Sequence, residues 1–230
     1  MRPLVLSCLF SAVSALAAPS MGLKPVWEEN FDGKELDEKK WNKGGAAQVV
    51  DGKLSLEITP GVKPGFWNGS WANTQGKFES MQGYFEASIR MIQTKGRWAE
   101  FTIRNPDKVP LPAASMSFSA MGDDKIDTNL WITDEVGSHR MTPKTSPVNL
   151  QGGVSWKKFH TYGLQWTLKN YIFFVDGREV QRMTRPSAVK PMYIHFGHNL
   201  PEGGLLKDFS NPKAGPEPLQ VDWVKAYTIP

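Results

Sequence analysis

The chain has 230 residues, a formal net charge of +4 at pH 7 and a single cysteine. This length suits one domain, because all-β sandwiches often exceed about 200 residues, and one cysteine excludes a disulfide framework or a thiolate metal cluster. The basic residues are scattered, which argues against nucleic-acid binding. The nine tryptophans favour a different kind of surface, since indole faces stack well on the C–H faces of sugar rings.

The N-terminal segment has the features of a secretion signal. Arg2 supplies a positive start, residues 4–13 are apolar, and Ala15–Ala17 offers small residues for cleavage. The apolar stretch is too short to span a bilayer. We therefore predict a signal peptide over residues 1–17 and a folded domain over residues 18–230. The protein is expected to be a secreted or periplasmic monomer without membrane insertion.

From Val26 onward, short segments of alternating polarity are separated by Gly, Asn, Asp and Pro turns. This pattern predicts an all-β sandwich or barrel. The pairs Asp51-Gly52 and Asp176-Gly177 predict two tight hairpins. The predicted strands, in chain order, are Gln48–Val50, Leu54–Ile58, Gly83–Met91, Trp98–Arg104, Ser115–Met121, Asn129–Thr133, His160–Thr167, Tyr171–Val175, Arg178–Arg182, Met192–His198 and Gln220–Tyr227.

The fourth predicted strand shows which side chains face the core. Successive side chains of a strand point to opposite faces, so Ala99, Phe101 and Ile103 are predicted in the core. Trp98 and Glu100 then share the other face. Such a face suits a binding groove, and it equally suits a rim with one exposed indole.

An ordered set of segments covers nearly all of the chain after the signal: Val26–Gly33 with Leu36-Asp37 and Lys40-Trp41, Thr74–Phe78 with Gly83–Met91, Phe159–Thr167 with Phe173–Val180, and Val221–Tyr227. This set resembles glycoside hydrolase family 16, the group of laminarinases, lichenases, agarases and carrageenases. The resemblance implies a concanavalin A-like jelly-roll β-sandwich of two curved antiparallel sheets. It also implies a polysaccharide cleft on the concave face.

The family's catalytic strand is where this chain departs from the pattern. Members place two glutamates and an aspartate there, as Glu-x-Asp-x-x-Glu or without the extra residue, for a retaining reaction. With the strand aligned on Gly122, the residues at those positions are Ala114, Met116 and Ser119. None of the three carries a negative charge at neutral pH, so the family reaction is expected to be lost at this site.

Acids elsewhere in the chain leave an alternative open. A pair of carboxylates at a wider separation could support an inverting reaction, which would make the protein an extracellular endo-glycosidase acting on a β-glucan or galactan. The strongest single candidate is Glu100, predicted to face the cleft one strand away. The other acids near the motif strand are Asp123, Asp124, Asp127, Asp134 and Glu135.

Aromatic and polar residues near the implied cleft are the predicted polysaccharide contacts. They are Trp67, Trp71, Trp98, Trp131, Glu100, His198 and Asn199. The preferred interpretation is a secreted polysaccharide-recognising protein that does not hydrolyse at the family site. A surface or matrix component without a ligand is a third possibility.

No cofactor is required by either interpretation, and three residues are candidate ligands of a structural calcium ion. Glu29, Gly52 and Asp222 stand near positions that hold calcium in some family members. Calcium prefers oxygen ligands, including backbone carbonyls. Such an ion would stabilise the fold rather than take part in chemistry.

Overall fold

The structure is a computed structural model, and it describes residues 20, 22–63, 66–91, 97–106, 113–120, 126–140, 158–184, 190–200 and 217–229. The predicted signal peptide and the acids Asp123 and Asp124 lie outside these residues.

Every regular element in the described ranges is a β-strand, and none of their residues forms a helix long and apolar enough to cross a membrane. The strands are β1 (Trp27–Glu29), β2 (Asn42–Gly44), β3 (Ala46–Val50), β4 (Lys53–Glu57), β5 (Thr59–Pro60), β6 (Trp67–Asn68), β7 (Ser70–Asn73), β8 (Gly83–Arg90), β9 (Trp98–Arg104), β10 (Ala113–Ala120), β11 (Ile126–Asp134), β12 (Gly137–Arg140), β13 (His160–Trp166), β14 (Asn170–Val175), β15 (Arg178–Thr184), β16 (Tyr193–Asn199) and β17 (Leu219–Tyr227).

Two large antiparallel sheets contain almost all of these strands. One has the order β15-β14-β13-β8-β17-β4-β3, with β1 paired to β17, and the other has the order β12-β11-β10-β9-β16-β7-β2. Strands β5 and β6 form a separate two-stranded sheet. Some neighbours are consecutive in the chain, such as β13 and β14, while others come from distant parts of it, such as β8 beside β17. The prediction of an all-β fold is confirmed.

The core lies between the two large sheets and follows the alternation of polar and apolar residues. Ala99, Phe101 and Ile103 of β9 are fully buried, which confirms their prediction as core residues. Phe101 stacks on Phe196 of β16, with ring centroids 5.2 Å apart. Phe85 of β8 is buried from the opposite sheet. Two tightly hydrogen-bonded sheets therefore bury a continuous aromatic and aliphatic layer.

The two Asp-Gly hairpins form as the sequence predicts. Asp51 and Gly52 have φ values of 50° and 68°, and Asp176 and Gly177 have values of 48° and 75°. Two consecutive positive φ angles are typical of the type I′ turn, whose twist matches the twist of paired strands. These hairpins connect β3 to β4 and β14 to β15.

A buried amide side chain connects three strands at one end of the seven-stranded sheet. The Asn105 side chain accepts a hydrogen bond from the Ala114 N–H at 2.8 Å and donates one to the Pro191 carbonyl at 2.7 Å. We expect Asn105→Ala to lower the free energy of unfolding by about 2 kcal/mol, because it removes a buried side chain and leaves two partly buried backbone groups without these hydrogen bonds. Urea unfolding measures this loss. Asn170→Ala, which removes an exposed hydrogen bond from Thr184, should cost clearly less.

Candidate functional site

Three rows of side chains cross the seven-stranded sheet on the side turned away from the core, which we call the open face. Directly opposed residues of an antiparallel pair share one face of the sheet, so the strand registers define each row. The first row is Asp127, Ser119, Glu100, Gly197, Trp71 and Gly44; the second is Asn129, Ser117, Thr102, His195, Asn73 and Asn42; the third is Trp131, Ser115, Arg104 and Tyr193.

Strand β10 shows that the predicted positions of two motif residues are wrong. Met116 is fully buried in the core, and Ala114 packs against the same core cluster. The pairing of β10 with β11 runs from Ala113 to Ala120 without a register shift, so no bulge turns a side chain over. The residues that share the open face are Ser115, Ser117 and Ser119. Their spacing corresponds to the family pattern without the extra residue.

Glu100 is held in place by polar groups of its own strand and of β16. Asn199 Nδ2 donates to Glu100 Oε1 at 2.8 Å, and His195 Nε2 lies 3.4 Å from the same oxygen. Thr102 Oγ1 makes a longer hydrogen bond to Oε2 at 3.5 Å. Burial alone would raise the pKa of Glu100, but His195, Asn199 and the charge of Arg104 together lower it below its ordinary value. Glu100 is therefore an anion at neutral pH.

Two exposed indoles lie towards opposite ends of the open face. Trp71 on β7 is 36% exposed, and Trp131 on β11 is 39% exposed. Four strand spacings separate β7 from β11, which corresponds to about 19 Å. The ring of Trp71 stacks on that of His195, with centroids 6.4 Å apart and an interplanar angle of 20°. Between the indoles lie mainly hydroxyl, amide and carboxylate groups.

Of the remaining predicted polysaccharide contacts, two lie on the open face and two lie elsewhere. Asn199 and Trp98 oppose each other at the β16–β9 pair, on the side of the sheet that carries Glu100. Trp67 belongs to the small β5–β6 sheet and not to the open face. The prediction for His198 is wrong. This residue is fully buried, and its Nδ1–H group donates to the Leu56 carbonyl of the other sheet at 2.8 Å.

Several open-face residues were not predicted as site residues. His195 is one of them, and its position on β16 places it beside Glu100. Strict alternation along β10 places Ser115 and Ser117 on the same face as Ser119. The alignment on Gly122 instead chose the residues one position earlier, Ala114 and Met116. Asp127, which precedes the predicted strand Asn129–Thr133, lies within β11 opposite Ser119.

The residues predicted to hold calcium are engaged in other contacts. Glu29 accepts a hydrogen bond from the Phe31 N–H, and its other oxygen lies 3.1 Å from Lys40 Nζ. Asp222 lies 3.6 Å from Lys53 Nζ. No group of three or more His, Cys, Asp or Glu side chains in the described ranges could hold a metal. These contacts do not fit side-chain ligation of calcium, and calcium binding stays a prediction.

Known proteins resemble this chain in both sequence and fold. It is 25% identical over 189 residues to the endo-1,3-1,4-beta-glycanase EglC of Rhizobium meliloti, which covers 79% of this chain and 39% of the relative. It is 26% identical over 215 residues to a beta-glucanase of Acetivibrio thermocellus, covering 86% and 60%. The chain thus spans less than two thirds of either relative.

A solved structure has the same architecture. A variant of SCLam, a non-specific endo-β-1,3(4)-glucanase crystallised with a glucan oligosaccharide at its active site, superposes with a TM-score of 0.71 at 20% identity, over 94% of this chain and 98% of that one. The predicted jelly-roll fold is thereby confirmed. The sequence profile described as Glycosyl hydrolases family 16 matches residues 35–225. A match over most of the chain shows that this protein belongs to glycoside hydrolase family 16.

Proposed function

We propose that the open face binds a β-glucan chain outside the cytoplasm. The observation that carries this proposal is the arrangement of two exposed indoles, Trp71 and Trp131, on strands about 19 Å apart and on different rows, with hydroxyl and carboxylate groups between them. Indole faces suit the C–H faces of sugar rings, and the polar strip suits sugar hydroxyls. The relative from Acetivibrio thermocellus, named as a beta-glucanase, supports glucan as the polysaccharide.

The proposal does not include the family's retaining reaction on β10. That reaction needs one carboxylate as nucleophile and another as acid and base. On the open face of β10 the side chains are those of Ser115, Ser117 and Ser119. A serine hydroxyl has no useful acidity at neutral pH, and none of the three serines is bonded to a histidine or carboxylate in the described hydrogen bonds.

A second candidate function is hydrolysis with carboxylates from the neighbouring strands. It is favoured by the relatives named as a beta-glycanase and a beta-glucanase, and by the first row of the open face, where Glu100 and Asp127 flank Ser119. Two strand spacings place their Cα atoms about 10 Å apart. Inverting glycosidases hold their two carboxyl groups about 6.5–9.5 Å apart, so a water molecule fits between base and sugar. Glu100 would act as the base and Asp127 as the acid only after the Glu100 carboxylate turns from β16, where Asn199 and His195 hold it, back towards β10.

Binding is tested by titrating the protein with laminarin and lichenan while tryptophan fluorescence is recorded. We expect saturable binding to at least one of these β-glucans, because Trp71 and Trp131 become covered. Agar and carrageenan serve as galactan controls. The absence of binding to any β-glucan would contradict the proposal and would favour a structural component without a ligand.

Hydrolysis is tested by reducing-sugar release from the same polysaccharides. If the protein only binds, no sugar is released above the level of a heat-denatured sample. If it hydrolyses, Glu100→Gln and Asp127→Asn should each abolish release, and the first product should carry the inverted anomeric configuration. Glu179→Gln on β15, which removes an ion-paired carboxylate from the other sheet, is the matched control.

A further inference from the structure

Two glycines of the first row lie beneath large side chains. A Cβ atom on Gly44 would lie 2.4 Å from Trp71 Nε1, and one on Gly197 would lie 2.7 Å from both Glu100 Oε1 and Asn199 Nδ2. Neither glycine has its φ in the left-handed region. The backbone therefore does not require glycine at these positions. What requires it is the space that the indole and the carboxylate occupy.

Gly44 determines the position of the Trp71 indole on the open face. The indole lies across β2 above Gly44, close enough to exclude any larger residue there. It also stacks on the ring of His195 from the neighbouring strand β16. An aromatic ring supported on two sides loses little further freedom when a ligand binds. Trp71 is thus a preorganised stacking surface, and the part of the indole that these neighbours leave uncovered is exposed to solvent.

The second glycine determines where the carboxylate of Glu100 lies. Glu100 leans over Gly197 towards β16, where Asn199 and His195 hold it. Gly197 is also the direct cross-strand neighbour of Trp71. The carboxylate therefore lies over the strand next to this stacking surface, and its side chain is still 24% exposed. A sugar ring stacked on the indole would extend its hydroxyl groups over this neighbouring strand, towards the carboxylate.

We propose that Trp71 and Glu100, seated on Gly44 and Gly197, form a subsite for one neutral hexopyranose unit of a β-glucan. The sugar ring stacks on Trp71, and neighbouring hydroxyls donate hydrogen bonds to Glu100. An anionic group placed against Glu100 would be repelled by its carboxylate, so this subsite favours a neutral sugar. This subsite rests on the proposed function, because it presumes that the open face binds β-glucan.

The subsite is tested by calorimetric titration of the intact protein with a soluble laminarin oligosaccharide. Trp71→Ala and Glu100→Gln should each weaken binding about tenfold, or about 1.4 kcal/mol. Gly44→Ala and Gly197→Ala should weaken binding to a similar degree, because the added methyl group displaces the indole or the carboxylate. Trp223→Ala and Glu179→Gln, both on the eight-stranded sheet, should leave affinity unchanged.

A double variant shows whether Gly44→Ala weakens binding by displacing the indole or by damaging the fold. Once Trp71 is alanine, the added methyl group of Gly44→Ala meets no indole, so the second change should weaken binding no further. Additive losses would contradict the role of Gly44. Unchanged affinity in Trp71→Ala and Glu100→Gln would overturn the subsite, while β-glucan binding by the unaltered protein would keep the proposed function intact. No binding by the unaltered protein would overturn both.

Discussion

Truncation of Phe118 to alanine is expected to lower the free energy of unfolding by about 4 kcal/mol. Phe118 is fully buried on β10, on the side opposite to the three open-face serines. The centroid of its ring lies 5.2 Å from that of Tyr162 and 5.4 Å from that of Phe173, and both pairs are T-shaped. The substitution removes both aromatic contacts and leaves a cavity between the sheets. Urea unfolding followed by tryptophan fluorescence measures the change.

Two controls make the Phe118 prediction specific. Phe118→Leu keeps most of the buried volume and should cost no more than about 1.5 kcal/mol. Val136→Ala, at an exposed turn position, should change stability by no more than about 0.5 kcal/mol. A loss in Phe118→Ala as small as that in Phe118→Leu would show that the core closes around the gap. In that case Phe118 would not be what anchors β10 to the opposite sheet.

The alternation of side chains makes much of the fold predictable from sequence. In β9, the apolar residues Ala99, Phe101 and Ile103 alternate with the polar residues Glu100, Thr102 and Arg104, and the structure has the predicted bounds and the predicted core. The Asp-Gly hairpins are equally local, because two residues determine the turn. Short strands such as β2 and β7 were not predicted. They contain too few residues to show the alternation of polar and apolar side chains. Their formation depends on pairing with each other and with β16.

The site was less predictable, because it depends on register between distant strands. A shift of one residue along a strand moves every side chain to the other face. The alignment on Gly122 introduced such a shift, which put Met116 in the cleft when the sheet buries it. The relation of Gly197 to Trp71 could not be predicted from sequence, since it joins residues separated by more than a hundred positions. His198 was misplaced for a related reason, because its face follows from the register of β16.

His198 is expected to make the protein lose stability as the pH falls from about 6.5 to about 4. The pKa of this histidine falls from its ordinary value of 6.5 to about 4, because burial and, to a lesser degree, the charge of Arg97 lower it more than the hydrogen bond to the Leu56 carbonyl raises it. The unfolded chain therefore binds a proton below pH 6.5 that the folded protein does not accept until about pH 4. Stability is complete above pH 6.5 and declines below it, by about 3 kcal/mol in total.

The structural reason is the position of the ring between the two sheets. The Nδ1–H group already donates to Leu56, and Nε2 has no hydrogen-bond partner among the described residues. Protonation would add a buried charge and a buried N–H without an acceptor. His198→Asn keeps a donor near Nδ1 and cannot titrate, so its unfolding free energy should vary about 3 kcal/mol less between pH 7 and pH 4. An unchanged pH dependence in this variant, measured by urea unfolding at each pH, would show that other groups cause the acid sensitivity.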